Sequence, residues 1–120
     1  MTGDDRRLGR WGRFGVWIWQ DMRGTVLQVV GEVDMATEAR FHIALEQALE
    51  YRPAALVADL TGVTFLALVG LRHLVAVDAA VGSGVVRVVP SSTARRTIEA
   101  TGLGGVLTLR STVGEALDAR

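Results

Sequence analysis

The chain has 120 residues and a mass of 12.9 kDa, which suits one domain with a single hydrophobic core. The absence of cysteine excludes disulfides and thiolate metal sites and favours a cytoplasmic protein. Thirteen basic and thirteen acidic residues cancel, so we expect no binding to nucleic acid, and the short apolar runs predict neither a secretory signal nor a membrane span.

The N-terminal part of the chain changes abruptly from charged to apolar. Residues 1–13 carry six charged side chains and three glycines, which predicts a flexible tail, and residues 14–120 remain as the domain. Residues 15–20 and 25–31 are rich in strand-forming side chains and flank a short turn. They therefore predict a β-hairpin at the start of the domain.

Helices alternate with short apolar strands in the rest of the chain. Apolar side chains at spacings of three and four predict a first helix, with Asp34 or Thr37 as its N-cap and Pro53 beyond its end. Residues 54–60 form a nearly continuous apolar run, broken by Asp59, which predicts a strand buried on both faces.

The second half of the chain continues this alternation. A second helix is predicted from about residue 68 to residue 80, with Leu68 among its inward side chains, and residues 85–89 predict a further strand. Ser92 is the expected cap of a third helix, and Gly102 is expected to end that helix in the left-handed conformation.

The C-terminal segment completes the predicted order of elements. Residues 106–110 predict a last strand, and Thr112 with Glu115 forms a capping box for a short terminal helix. The order is therefore β-β-α-β-α-β-α-β-α. It predicts a single α/β domain with a mixed, mostly parallel sheet of about five strands and about four helices.

Side chains with catalytic or metal-binding chemistry are sparse. No Gly-rich phosphate loop, strained serine elbow or credible pair of acids is visible, so the sequence predicts no enzyme and no cofactor. His42 and His73 lack partners at metal-ligand spacing and are expected as exposed helix positions, so no metal is predicted. Asp59 is expected to bond local backbone N–H groups. Arg95 and Arg96 are expected on a solvated helix face, with an acidic or phosphate partner as the alternative.

Four segments stand out by their order and spacing. They are GEVDMAT at residues 31–37, ALVADLTGVTF at residues 55–65, GL at residues 70–71 and ARRTIEATGL at residues 94–103. Together they resemble the STAS family, the domain of bacterial anti-sigma factor antagonists and of sulfate transporter tails. The resemblance covers residues 15–119 and implies the same α/β fold.

The family's phosphorylation signature, Asp-Ser-Ser-Gly-Leu, is degenerate in this chain. The resemblance aligns its aspartate with Ala67, its phosphorylated serine with Leu68 and its second serine with Val69, just before Gly70. A leucine has no nucleophilic oxygen, so a kinase has no acceptor at this position. Thr61 and Thr64 supply the nearest hydroxyls; we interpret both as turn and strand-end residues, and their modification stays open.

A surface for a partner protein is expected around this turn. Seven residues are expected to contribute to it: Glu32, Asp34, Thr37, Leu66, Leu68, Val69 and Arg72. Leu66, Leu68 and Val69 are expected to form an exposed apolar knob, with core packing as the alternative. The loss of the aspartate and serine also leaves the second helix without its usual caps. Asp34 is better explained as a plain helix cap than as a contact.

The resemblance implies a non-catalytic module that binds an anti-sigma factor, a serine kinase, or a similar regulator in partner switching. Transcription regulation of this kind would proceed here without phosphorylation at Leu68. An alternative is an accessory subunit of a membrane transport ATPase. A second is a self-associating scaffold or homodimer, since Trp17 and Trp19 share one face of the first strand, although core packing also explains them. Binding of a small ligand is a weaker option.

Overall fold

The computed structural model describes residues 14–118, so the predicted N-terminal tail lies outside the described residues. Within them, five strands and four helices follow the predicted order. Their bounds are β1 Gly15–Asp21, β2 Gly24–Val33, α1 Glu38–Leu49, β3 Leu56–Leu66, α2 Leu68–Val81, β4 Val86–Pro90, α3 Ser92–Ala100, β5 Thr108–Leu109 and α4 Val113–Asp118. None of the helices in this part of the chain has the length and apolar character that crossing a bilayer requires.

The strands form one mixed sheet in the spatial order β1-β2-β3-β4-β5. The hairpin pairs β1 with β2 antiparallel, and each later pair of neighbours is parallel. Parallel neighbours need a crossover between them, and α1, α2 and α3 supply these crossovers. The predicted α/β fold with a mostly parallel sheet is confirmed.

Strand β3 is longer than the apolar run predicts, because it continues through Leu66 instead of ending at Leu60. The sequence in this part contains turn-forming residues, which obscure the strand. Glycine suits position 62 because a Cβ there would lie 2.7 Å from Cγ1 of Val30 on the neighbouring strand. The pairing of β2 with β3 also shifts register between Gly31 and Glu32, which is partnered with Phe65.

The sheet is covered on both faces, but unequally. The larger core contains buried side chains from α1, α2 and α3 packed on β2, β3 and β4, including Phe41, Leu71 and Ile98. The smaller core joins α4 to the opposite face of the same strands through Val26 and Leu117, among others. This two-sided burial explains the continuous apolar strands.

Two of the predicted element ends are corrected by the structure. Helix α3 begins at Ser92, so its N-cap is Ser91, whose Oγ accepts a hydrogen bond from the N–H of Ala94 at 3.0 Å. The last strand contains only Thr108–Leu109 because a 3-10 turn at Leu103–Gly105 takes up the chain before it.

Other predicted ends are confirmed. Gly102 adopts the left-handed conformation with φ 76°, which glycine tolerates best. Thr112 caps α4 by accepting from the N–H of Glu115 at 3.0 Å. The Glu115 carboxylate completes the box one residue earlier than expected, because it accepts from Ser111 N–H at 2.9 Å.

Candidate partner-binding site

Strands β2 and β3 are parallel neighbours, so their carboxyl ends lie at the same edge of the sheet. The candidate site lies at this edge. After β2, the chain turns at residues 34–37 into α1, and after β3, it turns at Ala67 into α2. The N–H of Ala67 donates to the carbonyl of Val33 at 2.8 Å, which ties the two turns together. Both helix starts are thus presented side by side.

Exposed apolar side chains lie at these two strand ends. Phe65 and Leu68 are each 48% exposed, and Met35 is more exposed than either. We call Met35, Phe65 and Leu68 the apolar rim. Val69 is half-buried beside it, and Gly70 is buried. The prediction that Leu68 points into the core is therefore wrong, whereas its expected exposure at the turn is confirmed.

Leu66 differs from the expected exposed knob because it is only 1% exposed. Its Cα partner across the sheet is Val33, which is also buried. The register shift pairs Gly31 with Val63 and Glu32 with Phe65, so Thr64 is skipped. Two successive side chains, Thr64 and Phe65, consequently face solvent and Leu66 returns to the core. Phe65 takes the place in the exposed surface that the sequence assigned to Leu66.

Asp34 and Thr37 close the turn between β2 and α1. Oδ1 of Asp34 accepts from the N–H groups of Ala36 and Thr37 at 2.9 and 3.1 Å. The Thr37 hydroxyl donates to the carbonyl of Glu32 at 2.7 Å and accepts from the N–H of Asp34 at 3.0 Å. Neither side chain caps the first turn of α1 itself, so their predicted role moves one turn earlier. Thr37 is buried, whereas Glu32 is exposed beside the turn.

The start of α2 has no side-chain cap, as the sequence predicts. Ala67 occupies the N-cap position with φ −76° and ψ 159° and makes no capping hydrogen bond with its side chain. The N–H groups of Gly70 and Leu71 bond the carbonyl of Ala67 at 3.0 and 3.1 Å. The first N–H groups of the helix consequently lie beside the exposed Leu68 without a side-chain oxygen.

Comparison with known proteins identifies the family. Residues 20–116 match the STAS domain. The chain belongs to the STAS domain family. The anti-sigma-F factor antagonist RsfB of Mycobacterium tuberculosis is 38% identical over 94 residues, which cover 77% of this chain and 77% of that protein.

Solved structures agree with this assignment. The crystal structure of an anti-sigma factor antagonist from Mycobacterium paratuberculosis is similar with a TM-score of 0.80 and 33% identity, over 87% of this chain and 91% of that one. The anti-sigma factor antagonist SpoIIAA in its unphosphorylated form shares the fold with a TM-score of 0.66 and 18% identity, over 87% of this chain and 94% of the other. The chain is an anti-sigma factor antagonist-like STAS domain.

The two threonines that precede residues 67–70 both lie on β3. The hydroxyl of Thr61 donates to Oδ1 of Asp59 at 2.7 Å, and the N–H of Thr61 donates to the same oxygen at 3.0 Å. This confirms that Asp59 bonds local groups. Both threonines are exposed, and Thr64 directly precedes Phe65 of the apolar rim. Of the two threonines, Thr64 is therefore the one that lies beside the apolar rim.

Arginines give the STAS domain its positive charge near α2 and along α3. Arg72 is exposed one turn after Leu68, so both lie on the same side of α2. Arg95 contacts Glu99 at 4.0 Å across one turn of α3, and Arg96 is exposed, which agrees with the predicted solvated face. Arg72 thus contributes the positive charge beside the apolar rim.

The prediction that His42 and His73 are exposed helix positions is corrected by the structure, because both are partly buried and contact each other. The ring centroids of His42 and His73 lie 4.7 Å apart between α1 and α2. Nε2 of His73 lies 2.5 Å from Oε2 of Glu38, and Nε2 of His42 lies 3.4 Å from Oε2 of Glu46. Sequence spacing gives no signal for this contact, since the rings are 31 positions apart. Residues 14–118 contain no group of three or more side chains arranged to hold a metal ion.

Proposed function

We propose that this STAS domain is a non-catalytic partner-switching regulator that binds an anti-sigma factor, a serine kinase or a related regulator, through its apolar rim. We further propose that it is not released by phosphorylation at Leu68. The observation that carries the proposal is Leu68 itself. It is the first residue of α2 and 48% exposed, at the position that the family pattern gives to the phosphorylated serine.

The physical consequence of leucine at this position is the loss of a switch. A phosphate adds a charge of about −1.5 to −2. This charge is repelled by an acidic partner surface and loses its hydration when it is buried against an apolar one. A leucine side chain cannot accept the phosphoryl group, and its exposed methyl groups instead add apolar area to the rim. Binding should therefore persist under conditions that release a phosphorylatable relative.

The surroundings of Leu68 support docking of a protein partner. Met35 and Phe65 extend the apolar area, and Arg72 adds a positive charge on the same side of α2. Burial of a large apolar side chain contributes about 1.5–3 kcal/mol when it begins fully exposed, so the partly exposed rim residues contribute less each. The surrounding charge sets the association rate and partner choice more than the affinity.

The direct test is binding and phosphorylation with candidate anti-sigma factors from the same cell. Calorimetry should detect a complex, and incubation with ATP followed by mass spectrometry should find no phosphate at residues 64–70. The affinity for the partner should be unchanged by ATP. Phosphothreonine at Thr64, accompanied by loss of the complex, would contradict an unswitched regulator.

Two substitutions at Leu68 test the docking surface and the missing acceptor separately. Leu68→Asp should weaken the complex at least about tenfold, because a carboxylate would be buried against apolar surface. Leu68→Ser should allow the kinase to phosphorylate the domain, and the phosphorylated domain should then dissociate. The matched controls are Val106→Asp and Val106→Ser, since Val106 is 51% exposed and lies near β5 at the far edge of the sheet. Equal effects at both positions would contradict docking through the rim.

The transport ATPase alternative makes a different prediction. Co-purification with a permease and its ATPase from membranes, without any soluble regulator, would replace the anti-sigma partner in this proposal. The Leu68→Asp variant should weaken the ATPase complex only if that complex also uses the apolar rim.

A further inference from the structure

The open side of β1 is the longest unpaired strand edge among the described residues. Strand β1 pairs with β2 through seven consecutive residues without a register shift, and its other side has no neighbouring strand in residues 14–118. Strand β5, at the opposite edge, has only two residues. Proteins usually protect such edges with proline, lysine or a bulge, and β1 contains none of these.

Apolar side chains flank this edge on both faces of the sheet. Trp19 is 43% exposed and is the Cα partner of Val26, so it lies on the face that carries α4. Trp17 shares that face, because it is two residues away along the strand. On the other face, Val16 and the exposed Ile43 of α1 line a shallow apolar groove along β1.

We propose that β1 pairs antiparallel with β1 of a second copy of this chain, about a twofold axis at Ile18. In this register Ile18 faces Ile18 of the second copy, and Trp17 faces the second copy's Trp19. The two sheets would join into one continuous sheet across the axis. The proposal goes beyond the proposed function and does not depend on the apolar rim or on an anti-sigma partner.

The composition of β1 favours a second copy over an unrelated peptide. A twofold interface uses the same surface twice, so the strand must match itself. Residues 15–20 carry no charge, and the one charged residue of β1, Asp21, lies at its end. Antiparallel pairing keeps the two Asp21 side chains about 20 Å apart, which exceeds the screening length of about 8 Å in physiological salt. Each tryptophan instead meets a tryptophan on the same face, where aromatic cross-strand pairs are favourable.

The first test is the mass of the native chain in solution. Sedimentation or light scattering from about 1 µM to about 1 mM should show conversion to twice the 12.9 kDa of one chain. A monomer throughout this range would overturn the proposal, and an edge covered by a peptide or by another part of the chain would give that result.

The second test locates the interface. Trp19→Lys should weaken self-association about tenfold or more, since it places a charge opposite Trp17 of the second copy, whereas Val106→Lys should not change it. Dimers that respond equally to both substitutions would overturn the assigned edge. Binding of the anti-sigma partner serves as a separate readout and should be unchanged by Trp19→Lys.

A cross-link tests the register without relying on a disruptive substitution. The chain has no cysteine, so Ile18→Cys introduces a single thiol. Facing residues in an antiparallel pair have Cα atoms about 4.5–5.5 Å apart, within the usual range of a disulfide. Mild oxidation should give a covalent dimer with Ile18→Cys and not with Val106→Cys. Absence of the cross-link in a folded Ile18→Cys protein that still dimerises would overturn the register.

Discussion

Gly70→Ala is expected to destabilise the contact between α2 and β2, which holds the start of α2 in place. A Cβ at Gly70 would lie 2.5 Å from Cγ1 of Val33 and 3.1 Å from Cδ1 of Leu66. Both neighbours are buried, and the branched Val33 side chain has few other rotamers. The helix must therefore move away from the sheet, and Leu68 must move with it.

The magnitude follows from comparing this clash with the gain in helix propensity. An added methyl group in a packed core costs about 1–3 kcal/mol of unfolding free energy. Replacement of glycine by alanine in a helix returns at most about 1 kcal/mol. Gly114→Ala is the matched control, because Gly114 lies near the start of α4 and a Cβ added there would meet no heavy atom within 4 Å.

Thermal and urea unfolding measure the difference between the two variants. Gly70→Ala should be less stable than Gly114→Ala by about 1–3 kcal/mol, or about 4 °C in Tm for each kcal/mol. Partner affinity should fall for Gly70→Ala alone, because it displaces the apolar rim. Equal stability of the two variants would refute the close approach of α2 to β2.

Three further predictions concern single side chains. Leu66→Ala should lower the free energy of unfolding by about 2–5 kcal/mol in urea titrations, whereas Leu68→Ala should change it by less than about 0.5 kcal/mol; equal losses would contradict their opposite burial. Ser91→Ala should lower the free energy of unfolding by about 1–2 kcal/mol, because Ser91 Oγ caps α3 and donates to the carbonyl of Val63 at 2.7 Å. An unchanged Tm would refute this role of Ser91. Hydrogen bonds from the side chain and backbone N–H of Arg23 lower the pKa of Asp21 to about 2, below its ordinary value. The stabilisation by Asp21 should therefore be present above about pH 4 and lost as the pH falls through about 2. The melting temperatures of Asp21→Asn and the native chain should converge near pH 2. A difference in melting temperature that stays constant with pH would contradict this role of Asp21.

The fold was largely predictable because its signals are local. Alternating helical and strand patterns, with caps such as Thr112 and turn glycines such as Gly102, predict each element from a few neighbouring residues. Errors occurred where tertiary contacts or an adjoining turn, and not the local pattern, set the end of an element. The end of β3 is one example, since its last residues pair with β2 despite their turn-like sequence.

The turn into α2 was predictable, but the side chains exposed around it were predicted only in part. The resemblance located the turn into α2, and the exposure of Leu68 agrees with it. The exposure of Phe65 was missed and Leu66 was wrongly expected to be exposed, because a shift of one residue in the pairing of β2 with β3 reverses which side chains face solvent. The contact between His42 and His73 was also missed, since it depends on how α1 packs against α2.

The absence of a hydroxyl at position 68 was established by the sequence alone, since residue chemistry does not depend on folding. The order of helices and strands also followed from the local periodicity of the sequence. The three-dimensional structure was needed to show which side chains are exposed at the apolar rim and which strand edge is open. Both depend on register and neighbours contributed by residues far apart along the chain, such as Glu32 with Phe65 and the antiparallel partners Trp19 and Val26.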